Sequence, residues 1–382
     1  MNQLLFYFVI LVLFLAFLYV ENRRHMCNLA RLSLRIHVNG TRGKSSVTRL
    51  IAAGLRSGKY KVFAKTTGTE PKLIFSDGRE ELISRRGPAN IRENIKLIKT
   101  AVDNGADTIV FECMAIRPEL QAFCERRLIQ SNIGVITNIR ADHEDVMGSS
   151  LIEVAAALSN TIPTDGILVT TPQTKTLLAK YCKNTQVFVA DYLELQQVVL
   201  QGFTYEVVPE NVALALKVCE LAGIDSATAL RGMREAKPDA GNSHISEFVA
   251  CGKQIKVIDV LAANDPESTL WLWNYYLKEQ DRVVVLLNCR KDRKFRTVQL
   301  CKLFAKKPIN AIIIAGDTGF AMLTLLRQGV LKDKIFLLRT ETNAFKNLLD
   351  IMAKIKGEKL TVFAAGNIKG LSEEFRAKLN GG

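Results

Sequence analysis

The segment LRIHVNGTRGKSSVTRLIAAGL, residues 34–55, reads as a buried strand, a glycine-rich loop and a helix. In this order, the backbone N–H groups of the loop and the amino terminus of the helix can hold phosphate groups. We expect Lys44 to reach the β- and γ-phosphates of a nucleoside triphosphate and the Ser45 hydroxyl to bind Mg²⁺. An ordinary polar loop is the alternative, and the direct succession of strand, Gly-Lys-Ser-Ser and helix argues against it. The predicted nucleotide-binding residues here are Gly40, Thr41, Arg42, Gly43, Lys44, Ser45 and Ser46.

Short apolar runs alternate with amphipathic stretches along the rest of the chain. The predicted strands are 34–38, 107–112, 133–138, 166–171, 186–190, 255–261, 282–288, 311–316, 334–338 and 360–366, and the predicted helices are 46–55, 91–102, 151–161, 212–222 and 343–355. Apolar strands separated by helices are typical of parallel sheets covered on both faces, so the sequence predicts an α/β protein. Turn residues collect at 237–243. We therefore expect a nucleotide-binding domain at 30–243 with a P-loop-type parallel sheet, followed by a smaller Rossmann-like α/β domain at 244–382.

The amino terminus carries an unbroken apolar run of 17 residues, 4–20, which is the lower limit for a membrane span. A signal peptide needs a basic residue before the run and small residues at a cleavage site, and neither is present. A buried core helix would show a polar face. We expect residues 1–22 to form a single transmembrane anchor. Because the arginines at 23, 24, 31 and 35 all follow the run, the positive-inside rule places the body of the protein in the cytoplasm, at the cell membrane.

The composition narrows the possible partners. Apolar residues make up 48% of the 382 residues, which excludes an extensively disordered chain. The eight cysteines are scattered without a CxxC pair, so they read as reduced thiols rather than a disulfide framework or a zinc site. A net charge of +14 calls for an acidic partner: nucleic acid, an anionic membrane or a polyanionic substrate. Lysine and arginine are dispersed, with no recognised nucleic-acid module, so nucleic acid is the weakest of the three.

Further polar residues follow the predicted strands. Glu112 ends the strand 107–112, and Thr67 lies in the Ser/Thr-rich loop 65–69. Mg²⁺ prefers oxygen ligands and takes only one or two carboxylates, so we expect Glu112, Ser45 and Thr67 to hold it. A salt-bridge or capping role is the alternative for Glu112. Arg290 and Arg293, after the strand 282–288, suit the carboxylate of an acidic substrate, unless they form a solvated basic turn.

These motifs together resemble the Mur ligase family of ATP-dependent amide-bond synthetases. The loop Gly-Thr-x-Gly-Lys-Ser carries the resemblance, with KTTGT at 65–69, Glu112 and TNIRADH at 137–143. One branch is closer still, the membrane-associated ligase subunits of bacterial poly-γ-glutamate capsule synthases. The stretches similar to that branch are GTRGKSSVTRL, KTTGTE, ECMAIRPE, SNIGVITN, ADHEDVMG, LAANDPEST, LLNCRKDR and AAGNIKG, which run in order from about residue 40 to 370.

The resemblance assigns roles that the residues alone leave open. It implies that Glu112 and His143 hold the metal that bridges the γ-phosphate and the substrate carboxylate. Asn211, which could otherwise be a helix cap, resembles the family's adenine-contacting Asn. The segment 259–268, with Asp259 and Asn264, resembles one that reaches the nucleotide, although Asn264 and Ser268 could also be caps alone.

The expected activity is a membrane-anchored ligase that uses ATP and Mg²⁺ to polymerise glutamate into poly-γ-glutamate through an acyl phosphate. A tethered P-loop ATPase that energises polymer assembly or export is one alternative, and a folylpolyglutamate-type ligase is another. A single span is too little to conduct a polymer, so the resemblance implies a separate multi-pass membrane subunit in a synthase complex. A homo-oligomer stays open.

Two positions depart from the family pattern. Many Mur ligases use a carbamylated lysine shortly after the Asp-His pair, whereas no lysine lies between Arg140 and Thr174 here. Whether one or two Mg²⁺ ions bind therefore stays open, because the residue for a carbamate-dependent second site is absent from this stretch. His244 stands where related enzymes commonly have an arginine that contacts the nucleotide phosphates.

Overall fold

The computed structural model describes residues 3–68, 70–85, 87–140, 144–148, 150–194, 202–203, 205, 207–238, 244–261, 263, 266–277, 282–340, 343–368 and 370–379. The chain divides into two compact units, Met1–Ala240 and Gly241–Gly382. Each unit is a layered α/β structure, and each is described here by itself. The predicted α/β class is confirmed.

The first unit consists of α1 (Gln3–Ala30), β1 (Leu34–Asn39), α2 (Lys44–Ser57), β2 (Val62–Lys65), β3 (Lys72–Ile74), β4 (Glu80–Leu82), α3 (Glu93–Asp103), β5 (Thr108–Glu112), α4 (Pro118–Phe123), a π-helical turn (Cys124–Ile129), β6 (Ile133–Ile136), α5 (Glu144–Met147), α6 (Leu151–Leu158), β7 (Ile167–Thr170), α7 (Pro172–Leu178), β8 (Gln186–Val189), α8 (Pro209–Leu221) and α9 (Ser226–Glu235). Short 3₁₀ turns lie at Ser159–Thr161, Ala179–Tyr181 and Tyr192–Glu194.

The described strands of the first unit form one sheet in the order β4-β3-β2-β5-β1-β6-β7-β8. The strands from β2 to β8 pair in parallel, whereas β3 and β4 add an antiparallel hairpin at one edge. This hairpin differs from the all-parallel pairing that the sequence predicts. Its strands have only three residues each and are partly exposed, so they lack the continuous apolar runs by which buried strands are recognised.

The course of the chain opens a crevice at the carboxyl end of β1. After β1, the chain moves to β2, which lies on one side of β1 in the sheet. After β6, it moves to β7, and both of these strands lie on the other side of β1. Ligands of α/β sheets bind outside the carboxyl ends of the strands at such a switch point. The loop 40–43 begins there. On one face of the sheet, Ile36 and Val38 pack with α2, α8 and α9 in a continuous apolar core.

Helix α1 is longer than the predicted anchor, since it continues to Ala30 rather than ending near residue 22. Its segment Leu5–Ala30 has the length and apolar composition needed to cross a membrane, and none of its most apolar part is buried against the protein. The last turns instead pack on the body. Leu29 is buried in the core that contains α3, and the buried His25 ring contacts the Leu128 carbonyl at 2.9 Å through Nε2.

The second unit consists of β9 (His244–Ala250), β10 (Lys253–Asp259), α10 (Pro266–Tyr276), β11 (Val283–Cys289), α11 (Lys294–Ala305), β12 (Ala311–Gly316), α12 (Thr318–Arg327), β13 (Ile335–Leu337), α13 (Ala344–Lys354), β14 (Lys359–Gly366) and α14 (Glu373–Leu379), with 3₁₀ turns at Lys291–Arg293 and Lys332–Lys334.

The sheet of the second unit has the order β13-β12-β11-β14-β10-β9 among the described strands. All its pairings are parallel except that of β9 with β10, an edge strand that the sequence patterns do not predict. Every residue of β11 is buried, because Val284 and Leu286 face one apolar core while Val283, Val285 and Leu287 face the other. Burial on both faces explains why the strand is uniformly apolar.

Two polar residues of β1 point away from the core formed with α2. Asn39 donates to Gln121 Oε1 at 2.9 Å and to Thr161 Oγ1 at 3.1 Å. His37 is fully buried, and its Nδ1 lies 2.7 Å from the Glu125 carboxylate. Burial lowers the pKa of His37, but the adjacent Cys113 sulfur and the Glu125 carboxylate outweigh it and raise the pKa to about 9.

We expect the His37–Glu125 pair to lose its stabilising effect in alkali. Because the folded-state pKa of about 9 exceeds the ordinary 6.5, the contribution is complete below about pH 6.5 and is lost as pH rises through 9. His37→Gln replaces the imidazole N–H by an amide N–H donor, which does not titrate. In chemical denaturation of the full chain, the unfolding free energy of the wild type relative to His37→Gln should therefore fall on going from neutral to alkaline pH. Removing one member of a buried ion pair costs about 3 kcal/mol or more, which sets the size of the effect to be measured. A difference that stays constant with pH would contradict the charged pair.

Candidate active site

The loop 40–43 is shaped by two glycines at which a side chain would be strained and would clash with a neighbouring residue. Gly40 has φ +134° and Gly43 has φ +79°, in the region that L side chains avoid. A Cβ on Gly40 would lie 2.1 Å from Thr137 Oγ1, and one on Gly43 would lie 2.6 Å from Asn211 Oδ1. The backbone therefore passes within contact distance of the residues that follow β6 and of α8. This is a compact cradle of the kind that glycine-rich phosphate loops form.

Thr137 and Asn138, directly after β6, hold this loop from the side. Asn138 Oδ1 accepts from the Thr41 hydroxyl at 2.7 Å and from the Arg42 N–H at 3.0 Å. Its Nδ2 donates to the Arg42 carbonyl at 3.1 Å, and Thr137 Oγ1 donates to the same carbonyl at 2.6 Å. The Asn138 side-chain amide thus fixes the loop conformation, because its oxygen accepts from the loop and its nitrogen donates to it.

Lys44 opens helix α2 immediately after the loop. Its Nζ donates to the Gly40 carbonyl at 2.7 Å and to the Thr41 carbonyl at 3.3 Å, so the ammonium group lies across the loop. As in every helix, the first backbone N–H groups of α2 have no acceptor within the helix and carry a partial positive charge. The ammonium group and the helix end together make this position suited to phosphate oxygens.

The residues predicted to bind Mg²⁺ meet at the amino-terminal end of α2, where Ser45 is the second residue of the helix. Ser45 Oγ donates to Glu112 Oε2 at 2.7 Å, and the Thr67 N–H donates to the same oxygen at 2.6 Å. Ser45 and Glu112 are buried. The oxygen donors brought together here are the Glu112 carboxylate and the Ser45 hydroxyl, beside a phosphate loop, which fits the preference of Mg²⁺ for hard oxygen ligands with few carboxylates.

A buried lysine fixes the end of β2, from which Thr67 follows. Lys65 Nζ donates to Asn94 Oδ1 at 2.6 Å and lies 3.5 Å from Glu93 Oε1. Lys65 is fully buried, and burial lowers its pKa while the Glu93 carboxylate opposes this. The two partners on α3 therefore position the strand end that carries the Thr67 N–H to Glu112.

Asn211 lies beside the loop in the first turn of α8. It is buried, and its side chain approaches Gly43 as described above. The alternative of a helix cap is wrong, because the N-cap residue of α8 is Val208 and Asn211 follows it within the helix. The remaining predicted loop residues, Thr41, Arg42 and Ser46, lie at the same end of β1.

Two predicted site residues, His143 and Asn264, lie outside the described residues, and the side chains of His244 and Ser268 are likewise not described. The other predicted residues of the second unit lie after its strands. Asp259 ends β10, is buried, and accepts from the Leu261 N–H at 3.0 Å.

Arg290 and Arg293 follow β11. Arg290 makes a two-point contact with Asp292 at 2.9 and 2.7 Å, and this hydrogen bonding lowers the pKa of Asp292. Arg293 is exposed. A substrate carboxylate at Arg290 would therefore compete with Asp292.

Several residues that support the site were not predicted from the sequence. Asn138 had a usable signal, since a polar residue directly after a strand beside β1 stands at the edge where the phosphate loop lies. Lys65, Glu93 and Asn94 had none, because an amphipathic helix and a lysine at the end of a short strand do not indicate which residues will meet.

The chain matches two described families. The "Mur ligase middle domain" covers residues 38–229, and the "Poly-gamma-glutamate synthase CapB C-terminal domain" covers residues 245–382. A relative from Bacillus subtilis (strain 168), "PGA synthase CapB", is 36% identical over 372 residues, which is 94% of each chain.

Solved structures share the fold at low sequence identity. MurF from Acinetobacter baumannii has a TM-score of 0.65 at 14% identity, covering 95% of this chain and 79% of its own. FolC from E. coli in complex with ADP has a TM-score of 0.63 at 15% identity, covering 91% and 89%.

The fold, the phosphate loop and these matches define the class: an ATP-dependent amide ligase of the Mur ligase type. Within that class, the chain belongs to the poly-gamma-glutamate synthase CapB family. The resemblance predicted from the motifs is thereby confirmed.

We expect Gly43→Ala to weaken nucleotide binding far more than its backbone strain explains. Gly105→Ala is a matched control, because Gly105 has a similar φ of +72° but open space where its Cβ would lie. Both variants should lose about 1 kcal/mol of unfolding free energy from the positive φ. Only Gly43→Ala displaces Asn211, so only it should raise the Kd for ATP, by about tenfold or more, equivalent to about 1.4 kcal/mol. Isothermal titration of the full chain measures this, and equal Kd values for the two variants would contradict the packing of the loop on Asn211.

Proposed function

We propose that the chain is a membrane-anchored ligase that polymerises glutamate into poly-γ-glutamate through an acyl-phosphate intermediate, releasing ADP and phosphate. The observation that carries the proposal is the meeting of Ser45, Thr67 and Glu112 at one oxygen beside the phosphate loop. Its support from sequence is the 36% identity to a relative whose name is PGA synthase.

The chemistry follows from the poor leaving group of a carboxylate. A γ-carboxylate oxygen of glutamate attacks the γ-phosphorus of ATP, the bond to the β-phosphate oxygen breaks, and ADP leaves with that electron pair. The amine of a second glutamate then attacks the acyl carbon, phosphate departs with the C–O electron pair, and the amine gives up a proton. The product is an amide, and each bond formed consumes one ATP.

The residues of the phosphate loop serve the first step. Lys44 and the amino terminus of α2 bind the β- and γ-phosphate oxygens and stabilise the charge that is redistributed during transfer. Mg²⁺, when bound, neutralises charge on the transferred phosphoryl group, and Ser45, Glu112 and Thr67 are the residues that would hold it, with His143 added by resemblance. Asn138 keeps the loop in the binding conformation.

The remaining predicted residues bind substrates. Asn211 contacts the adenine, and Asp259 and Asn264 belong to the segment of the second unit that serves the nucleotide. Arg290 and Arg293 bind a carboxylate of glutamate or of the growing chain, for which a planar guanidinium is well suited. The net charge of +14 also favours binding of the polyanionic product by electrostatic attraction.

The apolar segment of α1 anchors the enzyme in the cell membrane, and the arginines after it keep the catalytic body in the cytoplasm, where ATP is present. One helix cannot form a conduit for the polymer. We therefore expect a multi-pass membrane subunit as the partner through which the product leaves.

The test is an assay of membranes that carry this protein and its partner subunits, supplied with ATP, Mg²⁺ and glutamate. Hydroxylamine traps an acyl phosphate as a hydroxamate, and polymer is measured in parallel. Lys44→Ala and Glu112→Gln should each lower kcat about 10²- to 10³-fold, because each removes a group that stabilises the transferred phosphoryl. Glu119→Gln, at an exposed carboxylate on α4, and Lys175→Ala, at an exposed lysine on α7, are matched controls that should retain activity.

The result that would refute the ligase is release of ADP by the wild type without glutamate-dependent hydroxamate or polymer. That outcome describes an ATPase that energises assembly or export. Hydroxamate that forms from a folate but not from glutamate would instead indicate a folylpolyglutamate-type ligase.

A further inference from the structure

A cavity of about 740 Å³ lies between the end of α1 and helix α3. Phe17 and Val20 of the apolar run line it on one side, and Ile95 of α3 lines it on the other. The ion pair between Arg92 and Glu21, at 2.9 Å, holds the beginning of α3 against α1. The cavity is within the roughly 300–1,000 Å³ typical of pockets for small ligands.

The lining is strongly basic as well as apolar. It contains the cations Arg23, Arg24, Arg92, Lys96 and Lys99, against Glu21 as its acidic member. Two of these cations have acidic neighbours, because Arg92 pairs with Glu21 and Lys99 with Asp103. Over the described ranges of the chain, Arg23, Arg24 and Lys96 have no carboxylate partner.

The position of the cavity along α1 coincides with the end of the apolar run. Val20 is the last apolar residue, and Arg24 follows about 6 Å further along the helix axis at 1.5 Å per residue. With the apolar run in the hydrocarbon, this height is that of the lipid head groups on the cytoplasmic side. The apolar side chains then face acyl chains, and the unpaired cations face phosphates.

We propose that this cavity is a binding site for an anionic phospholipid of the cytoplasmic leaflet. Its phosphate contacts Arg24 and Lys96, and its acyl chains lie along Phe17, Val20 and Ile95. This inference rests on the membrane anchoring proposed above. An apolar helix of a membrane partner is the other occupant to be considered, but it would leave the cations of the lining unneutralised. An anionic amphiphile contacts both the apolar and the basic residues of the lining favourably.

The test is native mass spectrometry of the detergent-purified, delipidated full chain. The chain is offered equal amounts of phosphatidylglycerol and phosphatidylcholine with identical acyl chains. The wild type should bind phosphatidylglycerol at least about fivefold in excess, and Arg24→Gln/Lys96→Gln should reduce this preference to about parity, as expected from roughly a fivefold contribution per cation. Lys175→Gln/Arg231→Gln removes the same charges from exposed positions of the same unit and should keep the preference.

Further arms separate the possible outcomes. Excess glycerol phosphate should not displace the lipid, because it lacks the acyl chains, and displacement would overturn a lipid occupant. Equal binding of both lipids by the wild type, or equal loss in the control variant, would also overturn the site. A cross-link from Lys96 to a membrane subunit, found together with no selectivity for the anionic lipid, would overturn the site as well. Carbonate extraction of membranes tests the anchor separately: a wild type that stays integral yet shows no selectivity refutes the lipid site alone.

Discussion

The hydrogen bonds to Glu112 are the constraint on which the site depends. Its Oε2 atom accepts hydrogen bonds from two distant parts of the chain. The Ser45 hydroxyl lies 67 positions earlier in the sequence, and the Thr67 N–H lies 45 positions earlier. A carboxylate as buried as Glu112, which is 3% exposed, is costly unless donors satisfy it. Helix α2, the loop after β2 and the end of β5 are thus held at the distances where both donors reach the same oxygen. The groups suited to a metal ion are therefore already assembled by the folded chain.

The sequence predicts those features whose signals are contained in one short stretch. The strand, loop and helix at 34–55 carry their pattern locally, and strand adjacency then brings Glu112 to the loop. The hairpin of β3 and β4 is missed because three-residue strands at an edge have no apolar periodicity. The contact of Lys65 with Asn94 is missed for a different reason. It depends on how α3 lies across the sheet, which is a tertiary property with no counterpart in residue spacing.

Helix α3 connects two places that are remote in function. One side of it presents Glu93 and Asn94 to Lys65, and thereby supports the strand end that carries Thr67. The helix also contributes Ile95 and Lys96 to the basic cavity beside α1, and Arg92 directly before it lines the same cavity. A rigid helix with both contacts gives the proposed lipid site a short physical connection to the phosphate loop.

The absence of a break in α1 determines how the proposed anchored enzyme can move. The helix passes from the apolar run into the body without a hinge, and Leu29 in its last turn is buried in the core that contains α3. Residues 21–30 add about 15 Å of helix beyond the apolar run. A catalytic domain on a flexible tether explores a hemisphere, whereas a continuous helix would keep this first unit close to one orientation relative to its anchor. Each new amide bond would then form at a fixed height above the lipid, so that the growing chain meets its exit by diffusion in two dimensions.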